Sequence, residues 1–217
     1  MPATRILLIR HGETEYNRTA RIQGQLDVEL SEKGRRQAHL LGRRLRHEKI
    51  AAVYASDLKR ARETAQIICE ETGLSIAGFR EDLREIKFGR WQGHTMAEVE
   101  ELYPEDVAFW RLDITNHAPP GGESYAAMRE RGWCAVTELA AAHRGETVAI
   151  ATHGGIVKAV LCTVLGIDLA DRRRIVVDNA SLSIIELTTE GWRVQTMNDT
   201  CHLGDLTSAI SKPWSEA

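Results

Sequence analysis

Ile6-Leu7-Leu8-Ile9-Arg10-His11-Gly12 joins four consecutive aliphatic residues directly to a cation, an imidazole and a glycine. The aliphatic run has the length and content of a strand buried on both faces. Arg10 and His11 then stand where that strand ends and the backbone turns. In open α/β sheets ligands bind outside the carboxyl ends of the strands, which is where this pair falls. A second run, Thr147-Val148-Ala149-Ile150-Ala151, leads through Thr152 into His153-Gly154. One strand-end histidine is as readily structural as functional. Two of them, at the ends of two parallel strands, are expected to face each other across one site.

The intervening segments support such a sheet. Ser31 opens a helix with Glu32 in its first turn, and Ala38, Leu41, Gly42 and Leu45 recur at helical spacing on one buried face. Residues 51–55 read as another buried strand, and Ser56 as the N-cap of a helix whose inner face carries Ala61, Ala65 and Ile68. From about 88 to 123 the pattern changes to Trp91, Trp110, scattered acids and Pro119-Pro120-Gly121-Gly122, which reads as an insertion or flap over the site. A helix is expected over about 124–143. Gly154-Gly155 open another that Gly166 stops, and 181–187 with 192–197 read as an antiparallel hairpin at the sheet edge. Strand, helix, strand, helix predicts the α/β class, a mainly parallel sheet with helices on both faces. One domain over 1–217, carrying the flap at about 88–123, is the expected organisation.

Charged residues at 27% and hydrophobic residues at 43% are ordinary for a globular protein in water. With a formal charge of −3, and Arg172-Arg173-Arg174 as the one gathered basic stretch, no nucleic-acid partner is expected. The opening five residues lead into only four aliphatics, too few for a signal-peptide core or a membrane span, so a cytoplasmic location without membrane contact is expected. Cys69, Cys134, Cys162 and Cys201 form no C-x-x-C pair and are expected to be buried free thiols. The histidines show no chelating spacing, so neither a metal nor a cofactor is expected. His39, His47 and His143 fall on polar helix faces and read as solvated. Trp91 and Trp110 read as packing within the flap, and His94 and His117, in or beside it, are weaker candidates for substrate contact.

Lys59 and Arg60 occupy the first turn of the helix after Ser56, the wrong end for positive charge in the helix dipole unless an anion sits there. The bland alternative is a solvated Arg60 offset by Asp57. With Arg10 at a neighbouring strand end, Arg60 instead completes a clamp of two guanidiniums, which match phosphoryl oxygens bidentately and keep their charge. A phosphoryl group held there needs a group to react with. Neutral imidazole is a competent nucleophile, and a backbone carbonyl near Gly12 holding one ring N–H would leave the other nitrogen of His11 free. His153 is then the donor that stabilises charge on the transferring group, while Gly154 lets the backbone approach at a helix N-terminus.

These residues resemble the histidine phosphatase superfamily, which includes the cofactor-dependent phosphoglycerate mutases and many small-molecule phosphatases. The resemblance is carried, in order and over nearly the whole chain, by Ile9-Arg10-His11-Gly12-Glu13-Thr14, Asn17, Gln23-Gly24, Leu30-Ser31-Glu32-Lys33-Gly34 and Ser56-Asp57-Leu58-Lys59-Arg60-Ala61. It continues in Glu85 with Gly89 and Trp91-Gln92-Gly93, in Gly121-Gly122-Glu123-Ser124 and in Thr152-His153-Gly154-Gly155. It implies a phosphoglycerate mutase-like fold with His11 as the phosphorylated nucleophile. Arg10, Arg60 and His153 would form the phosphate pocket, Asn17, Gln23 and Gly24 would line it, and Glu85 would be the proton donor. Taken without the family, a Glu in Asp82-Leu83-Arg84-Glu85 reads as a surface residue paired with an arginine.

The implied activity is metal-independent hydrolysis of small phosphate esters, phosphoserine among them. A phosphoglycerate mutase and an α-ribazole phosphatase are the alternatives. A phosphate-binding module without turnover is disfavoured because His11, Glu85 and His153 are all present. Two departures favour hydrolysis over the mutase: Ile86-Lys87-Phe88-Gly89 follows Glu85 where those mutases carry Arg-His-Tyr-Gly, and the flap region is shorter than theirs. Thr200-Cys201-His202-Leu203-Gly204 resembles the family's phosphoserine phosphatases, in which that histidine lies near the substrate carboxylate, so His202 is the candidate for specificity. Phe88 departs from them, since they carry a histidine there. The edge hairpin offers a surface for a homodimer.

Overall fold

In the computed structural model, which describes residues 2–207, six strands make one sheet. They are β1 (Thr4–Arg10), β2 (Ile50–Ser56), β3 (Ile76–Arg80), β4 (Thr147–Thr152), β5 (Leu182–Thr188) and β6 (Gly191–Asp199), in the spatial order β3-β2-β4-β1-β5-β6. The first four are mutually parallel, and the hairpin of β5 and β6 adds antiparallel to β1. The domain expected over 1–217 extends, at 1 and at 208–217, beyond the described residues.

The helices are α1 (Glu15–Arg18), α2 (Glu32–Leu45), α3 (Lys59–Thr72), α4 (Met96–Leu102), α5 (Pro104–Leu112), α6 (Tyr125–Ala142) and α7 (Gly154–Leu165). Ser31 and Ser124 cap α2 and α6 by accepting a backbone N–H, and Gly166 ends α7 in the left-handed region at φ +66°. Side chains alternate across the central strands. Ile6, Leu8, Val148 and Ile150 pack with α6 and α7, whereas Leu7, Ile9, Ala149 and Ala151 pack with α2 and α3. Because β1 and β4 pair with Arg10 beside Thr152, His11 and His153 leave adjacent strands at nearly the same level.

Two expectations need correction. Ser56 does not cap α3; it is the last residue of β2, and the N-cap position falls to Leu58, which makes no side-chain cap bond. Within the segment 88–123, Trp91 and Trp110 pack as expected: with Val99 and Val107 they are buried in the main cluster, the two indoles edge-to-face at 5.3 Å. Of the four free thiols, Cys69 and Cys162 are buried but Cys134 and Cys201 are exposed, one on the outer face of α6 and one in the turn after β6. Strand β3 had no signal, because Ile76-Ala77-Gly78-Phe79-Arg80 is a half-exposed edge without an apolar run. No helix among the described residues is long and apolar enough to cross a membrane.

Candidate active site

The loop after β1 presses against the first turn of α2. A Cβ on Gly12 would lie 2.4 Å from the Gly34 carbonyl oxygen, so this approach requires glycine. The Gly12 N–H donates to Thr64 Oγ1 at 3.1 Å, which ties the turn to α3. His11, 3% exposed, places Nδ1 2.7 Å from its neighbour's carbonyl, Gly12 O. A carbonyl can only accept, so Nδ1 carries the hydrogen and Nε2 holds the lone pair. Arg60 Nε donates to that Nε2 at 3.1 Å. Burial first, then the charges of Arg60 and Arg10, hold His11 well below the usual histidine range against the opposing bond to Gly12. The ring is neutral, with Nε2 as its basic atom.

Arg60 is fully buried, which excludes the solvated alternative. Its Nη1 donates to Leu26 O at 2.8 Å and its Nη2 to Gly24 O at 2.7 Å. Asp57 does not offset it; that carboxylate takes the fork of Arg84. Burial lowers the Arg60 pKa to about 10, with Glu85 opposing. Arg10 gives Nη1 to Val177 O at 2.6 Å and keeps Nε buried without a partner. Its pKa is lowered by burial against the charges of Glu85 and Asp178. Two guanidiniums held by carbonyls are a costly burial of charge that an anion between them would offset.

His153 is fully buried at the N-cap position of α7, its ring centroid 5.3 Å from that of His11. Its Nε2 lies 2.9 Å from Ser56 Oγ. Leu58 N–H donates to the same oxygen at 3.4 Å, and the serine hydroxyl is able to donate its own hydrogen to Nε2 when the ring hydrogen sits on Nδ1. That Nδ1 is buried with no partner. Burial, then Arg60, His11, Arg131 and Arg10, hold this ring well below the usual histidine range as well. The hydroxyl expected to cap a helix is instead the hydrogen-bond partner of a buried histidine.

Glu85 is no surface residue paired with an arginine. Its Oε2 accepts the Gly155 N–H of α7 and its Oε1 the Ile86 N–H, both at 3.0 Å. Arg131 and Gln25 both donate to its carbonyl, and Arg131 also holds Arg84 O and the Glu123 carboxylate. Gly154 lies under Arg10, where a Cβ would come within 3.3 Å of Nε.

The remaining expected residues form a ring around these. Asn17 Oδ1 accepts from Thr14 N–H and from Asn179 Nδ2, each at 3.1 Å, while Gln23 Oε1 accepts the Thr14 hydroxyl at 3.0 Å. Asn179 also donates to His11 O at 3.2 Å. Gly24 contributes through its carbonyl to Arg60. His202 donates from Nε2 to Ala180 O at 3.0 Å, and Ala180 N–H in turn bonds His11 O at 3.1 Å, so this histidine is folded in behind the backbone of His11. Its pKa is lowered by burial. Asp199, Cys201 and His202 bring possible metal-ligand atoms within 4.8 Å of one another, with Arg44 3.7 Å from Asp199. His94 and His117 are engaged within the 88–123 segment, by Glu98 and by stacking on Phe109.

Thr64, Arg131 and Asn179 position the site without having been singled out for it, being isolated polar residues with no spacing signal; Ser56 was visible only as a helix cap and as part of Ser56-Asp57-Leu58-Lys59-Arg60-Ala61. Gln92, whose Oε1 accepts from Gln25 N–H and Phe88 N–H, was visible only as part of Trp91-Gln92-Gly93.

Residues 6–200 match the sequence profile of the histidine phosphatase superfamily (branch 1). The chain is 37% identical over 202 residues to Phosphoserine phosphatase 1 of Hydrogenobacter thermophilus, covering 93% of this chain and 95% of that one. It is 36% identical over 201 residues to Phosphoglycerate mutase-like protein 4 of Arabidopsis thaliana, covering 91% and 86%. Among solved structures, Bacillus stearothermophilus YhfR superposes with a TM-score of 0.85 at 36% identity, covering 93% of this chain and all of that one.

Proposed function

The chain belongs to the histidine phosphatase superfamily, and from that premise we propose that it hydrolyses a small phosphomonoester by passing the phosphoryl group through His11 to water. The observation that supports this most is the His11 tautomer, with Nδ1–H on Gly12 O and the Nε2 lone pair between buried donors. Nε2 attacks phosphorus, the bond to the ester oxygen breaks with its electron pair, and protonated Glu85 delivers a proton to that oxygen. Water then attacks the phosphohistidine while Glu85, now a carboxylate, takes its proton, and the P–N electron pair returns to Nε2. Arg10, Arg60 and the Nδ1–H of His153 hold the equatorial oxygens, where losing one such donor costs on the order of 100- to 1000-fold in rate. The positive charge needed comes from guanidiniums, so no divalent ion is required.

L-Phosphoserine is the proposed substrate, in keeping with the name of the Hydrogenobacter relative. Water, rather than the product, is the proposed phosphoryl acceptor because Ile86-Lys87-Phe88-Gly89 replaces the mutase pattern after Glu85. The protein is proposed to act in the cytoplasm on a soluble metabolite. Rapid acid-free quenching during turnover should trap acid-labile, base-stable phosphate on His11, His11→Ala should abolish turnover with the fold retained, and activity should survive dialysis against EDTA. Phosphate found on any other residue would overturn the mechanism.

A further inference from the structure

The carboxyl group of Glu85 marks where the leaving oxygen must lie, so the rest of the leaving group extends beyond it. Gly155 and Met128 line Glu85 there: a Cβ on Gly155 would fall 2.1 Å from Glu85 Oε1 and 3.1 Å from Met128 Sδ. Tyr125, one turn before Met128 on α6, stands edge-on to Phe88 at 6.3 Å. The guanidinium carbon of Arg172 lies 3.7 Å from the Tyr125 ring centroid. Arg172 is 4% exposed and donates to Leu169 O at 3.3 Å; no carboxylate pairs with it among the described residues. It belongs to the Arg172-Arg173-Arg174 stretch, for which the phosphate chemistry has no use.

Lys158 approaches from α7. It lies four residues after Gly154 and three after Gly155, on the face those glycines share. Helical side chains lean toward the N-terminus, which aims this one at Arg10 and Glu85. Lys158 is half-buried, and its ammonium makes no hydrogen bond or ion pair with a described residue. Its pKa is lowered by burial and by Arg10, Arg172 and Arg173, against the attraction of Glu85.

The 169–174 segment, which carries the stacked and buried guanidinium, packs against α7, which carries the unpaired ammonium, so the two elements can offer both cations to one anion, separate from the pair that flanks His11. We propose that Lys158 and Arg172 form a second anion subsite that reads a carboxylate on the leaving group. The enzyme would then select phosphorylated carboxylic acids over esters lacking that group. This rests on the phosphatase reading above, and it moves carboxylate recognition from His202, whose Nε2 is committed to Ala180 O, to the opposite side of Glu85.

The test compares matched esters: L-phosphoserine against phosphoethanolamine, and 3-phosphoglycerate against glycerol 3-phosphate, with p-nitrophenyl phosphate as reference. In the unaltered enzyme the acid of at least one pair should be preferred. Lys158→Met should lower kcat/KM for that acid by about 10- to 100-fold, the worth of one hydrogen bond between charged groups. The counterparts should stay within about twofold, and Lys158→Arg should restore most of the preference. Equal losses on acids and counterparts, no loss on the acids, no preference in the unaltered enzyme, or loss of the preference in His202→Gln rather than Lys158→Met would each overturn the subsite. Hydrolysis of none of the five esters would instead overturn the phosphatase reading.

Discussion

Two imidazoles 5.3 Å apart are held through different nitrogens. A backbone carbonyl, which can only accept, holds Nδ1 of His11; a serine hydroxyl, which can also donate, holds Nε2 of His153. With the hydrogen on Nδ1 in both rings, as the proposed mechanism requires, His11 offers the lone pair of Nε2 and His153 the N–H of Nδ1. Ser56→Ala should remove the hold on His153 and lower kcat by up to about 100-fold, less than loss of the donor itself, with KM nearly unchanged. Ser56→Thr should keep most of the activity, and nitrogen NMR of the His153 ring should show the tautomer shifting only in the alanine variant. A Ser56→Ala enzyme of normal rate would separate the hydroxyl from catalysis. Glu85→Gln addresses the proton instead: it should slow alkyl phosphates far more than p-nitrophenyl phosphate, whose leaving group departs without one. Equal losses on both esters would mean that Glu85 only shapes the pocket.

At the scale of elements, the N-terminus of α7 does two things with two glycines. Gly154 lets Arg10 lie across the helix start, and Gly155 gives its N–H to Glu85 while leaving room for the carboxylate. Gly155→Ala would place a Cβ 2.1 Å from Glu85 Oε1, so the acid must move. Alanine is the better helix former by about 1 kcal/mol, so Tm should hold or rise while kcat on alkyl phosphates falls on the order of 100-fold. A loss of Tm in parallel with activity would indicate damage to packing instead. Helix α3 shows the complementary case: Lys59 and Arg60 open it against its dipole, and carbonyls from the 24–26 loop hold Arg60 there.

For the whole molecule, burying two neutral histidines links stability to pH. In the folded state the pKa values of His11 and His153 lie well below the ordinary 6.5, so below that pH the unfolded chain binds protons that the folded one refuses. Stability is fully present above about pH 6.5 and is lost as pH falls below it, by up to about 1.4 kcal/mol per pH unit for each such histidine. Urea unfolding at pH 7, 6 and 5 should show this fall, and His153→Asn should flatten it by one proton. An unchanged slope in that variant would mean that His153 is charged in the fold. Apolar runs and their endings already carried β1, β4 and the Arg-His-Gly and His-Gly turns, and Ser31, Ser124 and Gly166 correctly marked helix ends. These were legible because a buried strand, a cap and a left-handed stop are local demands on neighbouring residues. The burial of Arg60, the backbone grip on Glu85, the hold of Gly12 on His11 and of Ser56 on His153, and the stacking of Arg172 on Tyr125 were decided only by the tertiary structure. Each depends on how the sheet order and register bring distant residues together, and on the water they lose when they meet, neither of which is written in the spacing of residues along the chain.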